Sequence, residues 1–223
     1  MASKNTVLVV AAHSDDEALG CAGTIAKHID SGDDVFVVFM TDGVTARGSA
    51  DGSDERHEAS EAALSVLGVK KAFRFSFPDN QMDSVPLLSV TKQVEAVLAE
   101  VSPNIIYTHF AGDLNIDHQI THKAVMTACR PQAWCSVKEI YCFEVLSATE
   151  WNSKSAPQFL PQRIVDITNQ IDRKIDALKC YEQEMRPSPH SRCYRSVLAL
   201  AEYRGLTHGL PYAEAFFIER CVA

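Results

Sequence analysis

The apolar run Val7-Leu8-Val9-Val10-Ala11-Ala12 stops abruptly at His13-Ser14-Asp15-Asp16-Glu17, and this junction constrains the fold more than any other stretch. A short continuous apolar run is the pattern of a strand buried on both faces, which belongs in a parallel sheet covered by helices. In open sheets of that kind, ligands bind beyond the carboxyl ends of the strands. The histidine and its three acids therefore stand where a site is expected. Neighbouring carboxyls repel one another, so the cluster is unfavourable unless a cation or a hydrogen-bond network offsets it. The simpler alternative is helix capping, because Ser and Asp favour N-caps and acids favour a first turn.

The same pattern recurs along the chain. Val35 to Met40 is a second buried-strand run, closed by Thr41-Asp42-Gly43, and Ala72 to Phe77 and Ile105 to Thr108 are further strands. Between them, apolar residues at helical spacing predict helices over about Glu17 to Ile29, Asp54 to Leu67, Val85 to Val101 and His118 to Ala128. Glu139 to Glu144 and Arg163 to Asp166 read as strands. Thr168 is expected to cap a helix reaching about Tyr181, a last helix lies near Ser196 to Tyr203, and Phe216-Phe217-Ile218 closes as a strand. Strands alternating with helices predict an α/β class, a Rossmann-like mostly parallel sheet with helices on both faces. We expect one domain over 1–223, with a catalytic core over about 1–145 and a C-terminal extension, about 146–223, shaping the substrate pocket. The first turn carries acids where a dinucleotide fingerprint needs glycines, so dinucleotide binding is not expected.

Composition narrows the partners. A formal charge of −8 disfavours nucleic acid, whose phosphates require a basic footprint. The seven cysteines are scattered without a Cys-x-x-Cys pair, which suggests neither a disulfide framework nor a thiolate zinc site and fits reduced thiols in a cytoplasmic protein. No stretch has the length and apolarity of a signal or membrane-spanning segment, so no membrane partner is expected. A homo-oligomer stays open.

A second polar cluster, Gly112-Asp113-Leu114-Asn115-Ile116-Asp117-His118, follows the strand that ends at His109. Both clusters should face one crevice. Two imidazoles and a carboxylate are a sufficient ligand set for a catalytic divalent metal with one position left open. A bound Zn²⁺ brings the pKa of its water to roughly 7, and a nearby carboxylate can remove the proton as the hydroxide attacks a carbonyl. That is the apparatus of amide hydrolysis. Arg47 in the Gly- and Ser-rich loop, Asp79, Asn80 and Asp83 in the turn after the third strand, His109, and Arg192 in the Pro-rich linker with His190 are candidate substrate contacts on the same edge. His122, four residues after His118, reads as a surface residue or a neighbour of the site, and Trp134 and Trp151 read as core.

The stretch Ala12-His13-Ser14-Asp15-Asp16-Glu17 resembles the His-Pro-Asp-Asp-Glu signature of the LmbE-like (PIG-L) zinc-dependent de-N-acetylases. Asn115-Ile116-Asp117-His118 resembles their second motif, and Thr41-Asp42-Gly43, the Arg56 helix ending Leu67-Gly68-Val69 and Thr108-His109 extend the likeness over roughly the first 145 residues. The resemblance implies that His13, Asp16 and His118 hold Zn²⁺, or another divalent cation such as Fe²⁺, Mn²⁺ or Co²⁺. It implies that Asp15 is the general base, that Asp117 orients an imidazole, and that Glu17 is structural at the helix start. The implied reaction is removal of an N-acetyl group from an aminosugar or its conjugate by a zinc-bound water, with a soluble small-molecule substrate preferred. Ser14 replaces the usual proline. Asn115 stands where several members have a histidine; an amide can donate to an oxyanion but cannot act as a general acid. Two alternatives stand beside this reading: a non-haem Fe(II) oxygenase using His13, Asp15 and His118, and a catalytically inactive binding member of the family.

Overall fold

The computed structural model describes residues 4–41, 43 and 53–222. Seven strands form one sheet: β1 (Thr6–Ala11), β2 (Asp34–Thr41), β3 (Lys71–Phe77), β4 (Ile105–His109), β5 (Glu139–Phe143), β6 (Arg163–Asp166) and β7 (Ala213–Cys221). Their order is β3-β2-β1-β4-β5-β7-β6. The β1–β2, β2–β3, β1–β4 and β4–β5 pairs are parallel, and β7 runs antiparallel to both neighbours. The helices are α1 (Asp16–Asp30), α2 (Ser53–Leu67), α3 (Leu87–Val101), α4 (Ile116–Ala128), α5 (Ile171–Cys180) and α6 (Tyr194–Leu206). No helix among the described residues is long and apolar enough to cross a membrane.

The chain winds outward from β1 through β2 to β3, then returns to pair β4 on the other side of β1. The strand order therefore reverses at the β1/β4 seam, the position at which an open parallel sheet forms a crevice beyond its carboxyl ends. β1 is buried throughout because it serves two cores: Val7, Val9 and Ala11 pack with α1 and α5, while Leu8 and Val10 pack with α3 and α4. This double burial explains the unbroken apolar run in the sequence.

Helix α1 is broken at Cys21, whose φ of −149° and ψ of 21° leave the helical region. The groups freed by the break are taken up by a buried ion pair. Glu214 of β7 accepts the Gly23 and Thr24 amides at 3.0 and 2.7 Å, and Lys174 of α5 donates to the Leu19 carbonyl at 2.8 Å and to Glu214 at 2.7 Å. Two glycines let α1 lie this close to its neighbours. A Cβ at Gly20 would stand 2.4 Å from the Phe143 ring, and one at Gly23 would stand 2.7 Å from Ile167. Gly20→Ala is accordingly expected to destabilise the fold by about 1–3 kcal/mol through overpacking, read from the urea midpoint; an unchanged midpoint would contradict the close approach.

Most elements form where the periodicity places them, with local departures. The helix expected from Thr168 begins at Ile171 with Gln170 at its N-cap, because the Thr168 hydroxyl is turned back onto Asp166 at 2.6 Å. Trp134 and Trp151 are not core residues: both are exposed, at 64% and 51%.

Candidate metal centre and active site

The turn after β1 is fixed by its neighbours. The Ala12 amide donates to Nε2 of His109 at 2.8 Å, and the Thr41 hydroxyl donates to the Ala12 carbonyl at 3.0 Å. Asp15 is held at a φ of +124°, a strained backbone for a residue bearing a Cβ, and its amide donates to Glu17 at 3.1 Å. Such strain persists only where the surroundings over-determine it, and Ser14 supplies part of that hold. Its hydroxyl and carbonyl accept from Nε and Nη2 of Arg56 at 3.0 and 3.2 Å. The hydroxyl contact is one that proline at this position could not make.

Nδ1 of His13, Oδ2 of Asp16 and Nε2 of His118 form a nearly equilateral triangle, with sides of 3.1, 3.2 and 3.3 Å. Ligands 2.0–2.1 Å from a tetrahedral zinc stand about 3.3–3.4 Å apart, so these three atoms have the spacing of one face of such a site. The nitrogens pointing away from the triangle meet carboxylates. Nε2 of His13 lies 3.1 Å from both Asp117 and Asp79, and Nδ1 of His118 lies 3.1 Å from Asp113. Carboxylates in that position orient a metal-ligating imidazole and raise its basicity. Burial disfavours imidazolium at both histidines, yet the acids override it. Asp117, Asp16 and Asp79 raise His13 well above its usual value, and Asp16 and Asp113 push His118 up to about 9. The centre thus stabilises positive charge in a buried place, which is the electrostatic environment a divalent cation requires.

Asp15 turns away from the triangle. Its Oδ2 pairs with Nη1 of Arg192 at 2.8 Å, and its Oδ1 lies 4.0 Å from Arg56. Burial raises the Asp15 carboxyl above the usual carboxylate range, with Arg192 opposing and Asp16 reinforcing the shift. A carboxylate raised in this way is a better proton acceptor than an ordinary surface acid.

A cavity of about 520 Å³ opens over the triangle, lined by His13, Asp15, Asp16 and His118 together with Asp79, Asn80, Asn115 and Arg192. Three other candidates stand elsewhere. His109 is fully buried and stacks on His118 at 3.8 Å, so it supports that ring from behind and does not reach the cavity. Asp83 sits on the 3-10 turn Met82–Ser84 and faces solvent, because that turn directs Met82 inward instead. Arg47 lies outside the described residues. Asp117 is held by two backbone donors, the amides of Asn80 and Met82 at 2.6 and 3.0 Å.

Asn115 is the N-cap of α4. Its Oδ1 accepts the Asp117 amide at 2.8 Å, and its Nδ2 donates to Asn80 at 3.1 Å. Capping explains why an amide suits this position. Asn115→Ala is expected to cost about 1 kcal/mol of stability by thermal melt, and no loss would contradict the cap.

Sequence reasoning missed Arg56, Asp113, Glu184, Ser147 and Trp151. Arg56 reaches the cavity from α2 and pairs with Glu184 at 3.1 Å. Trp151 stands at the rim against His190, with ring centroids 5.3 Å apart. Of these, Asp113 had a usable signal, an acid placed like Asp117 within the second polar cluster.

The mostly parallel α/β sheet thus carries, at its switch point, a buried His-Asp-His set that could hold a metal ion. The family model described as GlcNAc-PI de-N-acetylase (PIG-L) matches residues 8–129, more than half the chain, and the chain belongs to that family. It is 29% identical over 165 residues to the uncharacterized deacetylase YaiS of Escherichia coli K12, covering 64% of this chain and 87% of that one. It is 25% identical over 219 residues to the diacetylchitobiose deacetylase of Thermococcus kodakarensis, covering 93% and 80%. The same fold occurs in GalB, the 4-carboxy-2-hydroxymuconate hydratase of Pseudomonas putida KT2440, with a TM-score of 0.77, 22% identity and 98% of each chain covered.

Proposed function

We propose that this protein is a metal-dependent hydrolase that removes the N-acetyl group from an aminosugar or an aminosugar conjugate. The observation that carries the reading is the His13–Asp16–His118 triangle with the raised, buried carboxyl of Asp15 beside it. Zn²⁺ suits the donor set of two imidazoles and one carboxylate, and when bound there it would polarise a carbonyl and lower the pKa of a water.

The chain's own groups supply the rest. Asp15 takes the proton of the attacking water and, once protonated, returns it to the departing amine, a task the Asn115 amide cannot perform. Arg192, paired with Asp15, limits how far the base rises and keeps its carboxylate aimed. Asp117, Asp79 and Asp113 hold the two ligating rings in one tautomer and orientation.

With a divalent cation held, the charges lining the cavity balance: the carboxylates Asp15, Asp16, Asp79 and Glu184 stand against the guanidiniums Arg56 and Arg192 and the metal. Trp151 offers an apolar ring face beside polar side chains, a combination suited to a sugar ring. Completion of the triangle by Asp16 instead of Asp15, beside the parallel pair β1–β2, supports the hydrolase over an oxygenase using Asp15.

A second reading, hydration of a carbon–carbon double bond, is favoured by one observation, the 25% identity over 193 residues to the 4-oxalmesaconate hydratase of Pseudomonas putida KT2440. One experiment separates the two. Protein loaded with zinc is incubated with a panel of N-acetylated mono- and disaccharides and, separately, with unsaturated dicarboxylates, and both acetate and loss of ultraviolet absorbance are followed. The deacetylase reading predicts acetate from at least one sugar. Consumption of an unsaturated acid with no acetate from any sugar would replace it by the hydratase.

A further inference from the structure

One turn beyond His118 on α4, on the opposite side of His109 from the triangle, a second set of potential ligands converges from three elements. His122 comes from α4, Cys142 from β5 and Glu219 from β7. None takes part in the chemistry above. Glu219 is the extra residue of a β-bulge: Ile140 pairs with Arg220 and Tyr141 with Ile218, so Glu219 has no cross-strand partner. Bulges re-aim side chains, and this one turns the carboxylate toward the helix.

Sγ of Cys142 lies 3.6 Å from Nδ1 of His122, and Oε1 of Glu219 lies 3.7 Å from Nε2 of the same ring. Nδ1 is also 3.0 Å from the backbone carbonyl of His109, which can only accept, so Nδ1 carries the proton. In the neutral ring Nε2 therefore presents its lone pair to the Glu219 carboxylate. Two acceptors facing each other at that distance repel unless a proton on Nε2 or a metal cation lies between them. A ring nitrogen donating to a backbone carbonyl while its partner nitrogen stays free is, moreover, how metal-ligating histidines are oriented. The ring is buried and Cys142 fully so, while the Glu219 side chain is 23% exposed and gives the set a solvent side.

We propose that His122, Cys142 and Glu219 form a second cation site, for a divalent metal of borderline softness such as Zn²⁺, with imidazole, thiolate and carboxylate ligands and a fourth position open to water. In the metal-free protein, burial keeps the Cys142 thiol protonated at neutral pH. Uptake of the cation therefore releases the thiol proton to solvent as the sulfur–metal bond forms, and no electron is transferred. The site is tied to the first through His109, whose carbonyl receives the His122 proton donor and whose ring stacks on His118.

Cobalt(II) distinguishes the two centres, because only the second has a thiolate. Metal-stripped protein titrated with Co²⁺ is expected to develop a near-ultraviolet thiolate-to-cobalt charge-transfer band. The band should vanish in Cys142→Ser and persist in Cys221→Ser and in His118→Ala, so failure of the first centre leaves this reading testable. Zinc content after dialysis should fall from two equivalents to one in Cys142→Ser and in Glu219→Gln, the latter a partly exposed change expected to leave the thermal melt of the metal-stripped protein unaltered. Absence of the band in the wild-type protein would overturn the proposal. So would its survival in Cys142→Ser, its loss in Cys221→Ser, or an unchanged zinc content in a folded Glu219→Gln.

Discussion

Asp15→Asn is expected to lower acetate release by about 10²–10⁴-fold while leaving the bound metal unchanged, the range that general acid–base groups contribute. The substitution keeps the shape of the side chain and changes no backbone constraint relative to Asp, so the turn at +124° should survive. Asn retains an oxygen to accept from Arg192 but has no usable basicity. The division of labour is what the prediction tests. Asp15 points to Arg192 and Arg56, whereas Asp16 faces the two imidazoles. Metal analysis beside the kinetics checks it: His118→Ala should lose metal and activity together, Asp15→Asn activity alone. Equal metal loss in the two variants would contradict the assignment.

Glu214→Ala should destabilise the fold by about 3–5 kcal/mol, the range for removing one member of a buried ion pair. Glu214 and Lys174 are 5% and 3% exposed, and the truncation strands the ammonium of Lys174 together with the amides of Gly23 and Thr24 at the break in α1. Replacing both partners by apolar residues should recover part of the loss, since the uncompensated charge is then gone. Urea midpoints of the single and double variants measure this. A single-variant loss under about 1 kcal/mol would show that the break in α1 is held by other contacts.

Helix α1 also marks where local sequence signals end. The strands, the helices and the two polar clusters are legible because each depends on local periodicity or on an abrupt change from apolar to polar. Glu214 and Lys174 depend on neither: they meet 40 residues apart in sequence to repair a helix break whose only local trace is Gly20-Cys21-Ala22-Gly23. Arg56 is similar, a charged residue on a helix like any other until α2 carries it to Ser14 and Glu184. Asp15 and Asp16 are adjacent acids that sequence chemistry alone cannot tell apart. The strained φ at Asp15 separates them by turning one carboxylate to the arginines and the other to the imidazoles. His109 reads as a site residue because it ends a strand at the crevice edge. It is placed behind the site because the Ala12 amide captures its Nε2.

In the proposed reaction, acetate is released at a cation held by His13, Asp16 and His118. The most direct measurement strips the protein with a chelator, restores zinc in small increments, and follows acetate release from an N-acetylated sugar in the wild-type protein and in His118→Ala. The stripped protein should release no acetate, added zinc should restore release in the wild type, and His118→Ala should not recover. Acetate release that survives chelation, or that returns equally in the variant, would contradict it.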